Sequence, residues 1–169
     1  MALSLAEFNR MVTDHGATMY RVAFRLTGDR QIAEDMVQEA FRSAWGSRRL
    51  FEPGRGERAW LVSILRRRVA DYWRRPKPPT VLVGDKEIEV SSPPEDPFSD
   101  ELSDDLQKAL LQLPEHLRET LMWVVVGELT HQETADLLGI PLGTVLSRVS
   151  RARKRLREFL LTDEAKAVE

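Results

Sequence analysis

The chain has 169 residues, of which 42% are hydrophobic and 31% charged, with a formal net charge of −2. That length holds one domain or two small ones, each with a modest core. No run approaches the roughly 20 apolar residues of a membrane span, and the absence of cysteine excludes disulfides, thiolate zinc sites and any redox switch within the chain.

The three histidines, His15, His116 and His131, are scattered singly, so neither a metal nor another cofactor is expected. Met1 to Asp14 lacks the basic-then-apolar pattern of a secretory signal, which makes the cytoplasm the expected compartment, with no direct membrane contact. The small net charge conceals segregation. Residues 1–75 carry 14 Arg against 9 acids, net +5, residues 76–100 are net −4 and residues 101–169 net −3.

In chain order, Leu5 to Thr27 places Phe8, Met11, Val12, Met19, Val22, Ala23 and Leu26 at helical spacing and ends at Gly28-Asp29. Arg30 to Trp45 follows at once. It turns Ile32, Ala33, Val37, Ala40, Phe41 and Ala44 inward and leaves Glu34, Asp35, Gln38, Glu39 and Arg42 outside. Ser47 to Glu57 reads as a Gly/Pro/Arg loop, and a third helix spans Arg58 to Arg75. Its stripe of Leu61, Ile64, Leu65, Val69 and Tyr72 is interleaved with Arg66, Arg67, Arg68, Arg74 and Arg75. Aromatic faces accept unstacked bases and arginines track phosphates, so Trp60, Tyr72 and Trp73 beside these arginines suit unpaired DNA. Trp60 and Tyr72, on or near the apolar stripe, are equally read as core.

Six of the nine prolines fall between Pro76 and Pro97, together with Ser91-Ser92 and five acids between Asp85 and Asp96. Such a segment forbids a continuous helix and reads as a semi-stiff linker. The expected architecture is all-α: a bundle over 1–75, a Pro-rich linker over 76–100, a second helical domain over 101–161 and a frayed, disordered tail over 162–169.

The second domain carries a helix-turn-helix. Thr130 caps a helix while Glu133 reaches back to its backbone, Gly139 supplies the left-handed stop, and Pro141 suits the opening of the next helix. On that helix Val145, Val149, Ala152, Leu156 and Phe159 form the inward stripe, with Ser147, Ser150, Arg151 and Lys154 on the far side. Thr144 to Glu158 holds six basic groups and one acid. Arg148, Arg153, Arg155 and Arg157 suit phosphate contacts, and Ser147, Ser150 and Arg151 suit base edges. With so few phosphates neutralised at once, free DNA should be bound weakly at physiological salt.

The segments Ala33-Glu34-Asp35-Met36-Val37-Gln38-Glu39-Ala40-Phe41, Ala59-Trp60-Leu61-Val62-Ser63 and Asp71-Tyr72-Trp73-Arg74-Arg75 resemble region 2 of the extracytoplasmic-function sigma factors of the sigma-70 family. Leu113-Pro114-Glu115, Glu133-Thr134-Ala135, Leu138-Gly139-Ile140-Pro141 and Gly143-Thr144-Val145 resemble their region 4. The resemblance covers nearly all of residues 5 to 160, with both halves in order. It implies a non-enzymatic factor that binds core RNA polymerase and directs promoter-specific initiation, with an anti-sigma factor as regulator.

By position, the resemblance implies that Asp35, Gln38 and Glu39 dock on the clamp coiled coil of the largest core subunit, and that region 4 rests on the flap tip of the second. It implies that the Ser47 to Glu57 loop and the helix after it, with Trp60, Arg66, Arg67, Trp73 and Arg74, take the minus-ten element. Ser147, Arg148, Ser150, Arg151 and Lys154 would then take the minus-thirty-five element. Two positions depart from the family pattern. Arg67 stands where an Asn is common, and a guanidinium favours phosphate or guanine over the edges an amide reads. Leu146 stands where a polar or basic group is common, which suits a thymine methyl. The alternatives are a stand-alone helix-turn-helix regulator with a sensing or dimerising N-terminal half, and a nuclease built on Glu34, Asp35 and Glu39.

Overall fold

A computed structural model describes residues 3–76 and 104–167, with the backbone alone for residues 55 and 163–167. Every regular element among them is helical: α1 Leu5–Thr27, α2 Arg30–Gly46, α3 Glu57–Arg74, α4 Asp104–Gln112, α5 Glu115–Val125, α6 His131–Leu138 and α7 Leu142–Ala167. Two 3-10 turns, Arg48–Leu50 and Pro53–Arg55, fill the stretch between α2 and α3. Nearly all of the expected linker, residues 77–100, lies outside the described residues.

Local chemistry sets the helix ends. At the start of α1 the Glu7 N–H donates to Ser4 Oγ (3.3 Å) and the Ser4 N–H donates to Glu7 Oε2 (2.8 Å). Gly28, at φ 71°, ends α1 in the left-handed region. Asp29 Oδ1 then accepts from the Ile32 N–H (2.9 Å), so α2 begins with no loop between. The same devices frame α6, where the Glu133 N–H donates to Thr130 Oγ1 (3.1 Å), the Thr130 N–H donates to Glu133 Oε2 (2.7 Å), and Gly139 sits at φ 65°.

Two details at α7 differ from the sequence reading. Pro141 precedes the helix rather than opening it, its carbonyl accepting from the N–H groups of Thr144 (3.0 Å) and Val145 (3.2 Å). The helix also continues to Ala167 through the expected tail, a stretch free of Gly and Pro and containing the helix formers Glu164, Ala165, Lys166 and Ala167.

Helices α1 to α3 pack around Met11, Met19, Val22, Leu26, Ala33, Ala40, Leu61, Leu65 and Val69. Helices α4 to α7 pack around Leu110, Leu113, Leu117, Leu121, Val145, Val149 and Ala152. The two sets form one continuous hydrophobic cluster. Trp123 of α5, fully buried, borders a crevice shared with Met19, Val22, Leu61 and Val62 of the first set. Leu111 of α4 reaches so far that a Cβ on Gly28 would stand 2.7 Å from it.

Polar groups reinforce this seam. The buried Arg118 donates through Nη1 to the Leu26 carbonyl at the end of α1 (2.8 Å), and through Nη2 to the carbonyls of Leu113 (3.1 Å) and Leu111 (3.3 Å). Arg25 Nη1 donates to Gln107 Oε1 (2.8 Å), Arg66 pairs with Glu119 (3.2 Å), and Arg58 pairs with Glu128 (3.5 Å).

The turn between α5 and α6 gives a first test. A Cβ on Gly127 would stand 2.7 Å from the Trp123 carbonyl oxygen, a backbone atom that cannot swing aside. Gly127→Ala should therefore lower stability by about 1–3 kcal/mol, against about 1 kcal/mol for loss of the cap in Thr130→Ala. Chemical denaturation checks both, and an unaffected Gly127→Ala would contradict the described turn. The Thr130 N–H, and then its hydroxyl, hold the Glu133 carboxyl below its usual pKa. A depressed pKa contributes stability above the ordinary carboxylate value and loses it as pH falls through the folded value. Glu133→Ala should thus be less stable than wild type at pH 7 and approach it in acid.

Candidate nucleic-acid interface

The geometry of α7 follows from its inward stripe. Val145, Val149 and Ala152 are buried, and Leu156 and Phe159 pack partly against the same core. With these held by α4 and α5, Ser150, Arg151 and Lys154 turn to solvent, and Ser147 and Arg148 are half-buried at the margin. Ser147 Oγ donates to the Thr144 carbonyl (3.1 Å), so toward a ligand it offers its lone pairs. Residues 147, 150, 151 and 154 share one helix face at i, i+3, i+4 and i+7 spacing. Beside that face runs a groove lined by His131, Leu146, Val149, Ser150, Arg153, Lys154 and Arg157. Leu146 and Leu142 are exposed at 49% and 40%, which leaves apolar surface at the leading end of the helix. The arrangement is that of a helix free to enter a major groove, with basic groups alongside for phosphates.

The acid-bearing face of α2 is less simple than its sequence. Asp35 and Gln38 are exposed and Glu39 is half-buried. Gln31 Nε2 donates to Asp35 Oδ1 (3.3 Å). Glu39 lies 3.6 Å from Arg42 and 3.9 Å from Arg68 of α3. Together they line a concavity of about 480 Å³ with Ile32, Met36, Asp71, Tyr72 and Arg75. Arg68 also donates to Ser43 Oγ (2.5 Å), tying α3 to α2 beneath the acids. Arg68, Asp71 and Tyr72 were not singled out for this face by sequence, since they belong to another helix. Of the three, only Tyr72 stood on the apolar stripe of its helix in the sequence, and that stripe does not say which helix it meets.

On α3 the seven-residue spacing puts Trp60, Arg67 and Arg74 on one stripe, and Arg66 and Trp73 on the next. Arg67 and Arg74 are exposed, the latter ion-paired with Asp71. Trp60 is half-buried and packs its ring on Phe51 (centroids 5.0 Å apart), which joins the core reading of that residue to the platform reading. Trp73 is half-buried. Arg66 is half-buried and paired with Glu119. The preceding turns expose Leu50 at 76% of its surface, an apolar tip that the sequence reading passed over. Among the described residues no cluster of three or more His, Cys, Asp or Glu stands close enough to hold a metal ion. Nor is any described helix long and apolar enough to cross a membrane.

Comparison with known proteins matches this geometry half by half. The Sigma-70 region 2 family model matches residues 11–77, and the Sigma-70 region 4 model matches residues 103–156. The ECF RNA polymerase sigma factor SigE of Mycolicibacterium smegmatis is 32% identical over 163 residues, covering 93% of this chain; the chain spans 63% of that relative's length. SigW of Bacillus subtilis is 32% identical over 154 residues, covering 84% of this chain and 82% of its own. SigV of the same organism is 31% identical, covering 90% of each.

Among solved structures, the sigma factor RpoE of Bartonella quintana in complex with the anti-sigma factor NepR aligns with a TM-score of 0.71 and 26% identity, covering 94% of this chain and 99% of that one. CnrH in complex with the cytosolic domain of CnrY aligns with a TM-score of 0.70 and 25% identity, covering 95% and 91%. A stand-alone regulator is not favoured, since both regions match in order on one chain. The chain belongs to the extracytoplasmic-function sigma factors of the sigma-70 family, the alternative sigma factors that bind core RNA polymerase and direct promoter-specific initiation without themselves catalysing a reaction.

Proposed function

We propose that the surfaces of this chain divide the work of an alternative sigma factor as follows, in the cytoplasm where core polymerase acts. Asp35, Gln38 and Glu39 dock on the clamp coiled coil of the largest subunit, and the α4–α7 half rests on the flap of the second. Trp60, Arg66, Arg67, Trp73 and Arg74 handle the minus-ten element, with Leu50 at the rim of the loop that receives an unpaired base. Ser147, Arg148, Ser150, Arg151 and Lys154 read the minus-thirty-five element. The observation that carries this reading is the exposed polar face of α7, set in a capped helix-turn-helix on the same chain as the concavity between α2 and α3 that Asp35, Gln38 and Glu39 line. Each DNA surface offers few cations, so each binds weakly, and joint docking on polymerase raises the effective concentration of one for its element once the other is seated. An anti-sigma factor regulates the chain, a reading supported by the partner of the solved RpoE relative.

Three substitutions test the assignment. Arg151→Ala should weaken selection of the minus-thirty-five element by about 1–3 kcal/mol and relax preference at one position of it. Arg153→Ala, a phosphate contact, should instead weaken all duplexes alike and flatten the salt dependence. Run-off transcription with core enzyme on randomised promoters separates the two. Asp35→Ala combined with Glu39→Ala should lower core affinity while the melting curve stays within about 0.5 kcal/mol of wild type, because half-exposed ion pairs contribute little. Undiminished core binding by that double variant would remove the docking assignment.

A further inference from the structure

Two leucines stand at the leading end of α7 outside the core. Leu146 is 49% exposed and Leu142, one turn before it on the same face, is 40% exposed, and neither belongs to the buried cluster around Val145, Val149 and Ala152. Leu146 instead lines a groove of about 540 Å³ together with Ser150, Arg153, Lys154 and Arg157, to which α6 contributes His131. The order along this face carries information. The leucines lead, and the three cations follow about two to three turns behind. In a helix-turn-helix the first turns of the second helix meet base edges. A surface with three cations beside the leucines complements phosphates rather than an apolar protein face.

We propose that Leu146 is a specificity-determining residue: its side chain packs on the C5-methyl group of a thymine in the minus-thirty-five element, with Leu142 closing the contact from the preceding turn. The proposal rests on the assignment of α7 to that element. The major groove presents hydrogen-bond donors and acceptors at every base pair but only one apolar group, the thymine methyl. Leucine has no polar atom to offer in return. Set against the amino group of adenine or cytosine, or the acceptors of guanine, it would strip water from a polar atom and leave that atom unpaired. Leu146 thus favours thymine and penalises the other bases at one position. The direction of the side chain is fixed from beneath, because buried Val145 and Val149 on either side of it hold the rotation of the helix. One methyl group removed from water is worth about fourfold in affinity.

Uracil, which is thymine without the methyl, makes the test direct. Holoenzyme formed from the full chain and core polymerase is given promoter duplexes recovered by selection with the wild-type chain, in which each thymine of the minus-thirty-five element, on either strand, is replaced singly by uracil. At one position the replacement should lower wild-type affinity about fourfold. Leu146→Ala, a change at an exposed position, should leave the melting curve of the chain unchanged, bind the thymine promoter about fourfold more weakly, and no longer distinguish thymine from uracil there. Leu146→Met keeps an apolar side chain and should keep the discrimination, whereas Arg153→Ala should weaken both duplexes alike and leave their ratio intact. A recovered element without thymine, or with no thymine sensitive to uracil, overturns the proposal. So does a uracil effect that persists in Leu146→Ala, since another residue or the shape of the duplex then reads the methyl. Loss of core affinity in Leu146→Ala overturns it as well, by giving the leucines to polymerase. If Arg151→Ala and base-pair changes throughout the element are also silent, the assignment of α7 to the minus-thirty-five element fails with it; if those effects stand while the methyl is silent, only the role of Leu146 fails.

Discussion

The buried guanidinium of Arg118 organises the molecule. Burial pulls its pKa below the usual value, yet a charged group in such a place is tolerated only when its donors find partners. Its two Nη groups find them at two helix ends, the Leu26 carbonyl in the last turn of α1 and the carbonyls of Leu111 and Leu113 at the close of α4, while the buried Nε is left without one. The Leu26 and Leu111 carbonyls are orphans of their helices, at the negative ends of the helix dipoles, and that of Leu113 follows just after α4, so one cation serves both halves of the chain. Trp123 and Leu111 then fill the space around it, and the seam between α1 and α4–α5 becomes a continuation of the core rather than a loose contact.

Charge decides what that seam means. Two arginines of α3, Arg58 and Arg66, find their anions across it in Glu128 and Glu119. Elsewhere the polar faces stay open: Ser150, Arg151 and Lys154 of α7 and Arg67 and Arg74 of α3 are exposed. A single net-charge figure hides this division. The same segregation explains how a chain of net charge −2 serves as a DNA-binding factor: two short basic surfaces act at separate places, each too small to hold a promoter alone.

The parts legible in the sequence are those fixed by local chemistry. Thr130 with Glu133, Gly139 and the 145–149–152 stripe dictate the helix-turn-helix from within about 25 residues, and Gly28-Asp29 dictates the break between α1 and α2. Each is a contact between residues three to seven apart. Illegible were contacts between distant segments. Arg118 and Leu26 are 92 positions apart and Arg66 and Glu119 53 apart, and nothing in either neighbourhood announces its partner. For that reason the chain reads as two bundles on a tether, whereas the structure gives them a common core. The role of Arg68 escaped for the same reason: within a run of three arginines nothing distinguishes the one whose side chain crosses to Ser43 of α2.

The central claim is that this chain reads a promoter only when a larger enzyme fixes the separation of its two DNA surfaces. The most direct measurement is binding to a promoter series in which the number of base pairs between the two elements is varied one at a time, with and without core polymerase. The account predicts a sharp optimum of spacing with core, and weak, spacing-independent binding by the chain alone at physiological salt. Tight binding by the chain alone with the same optimum would contradict it.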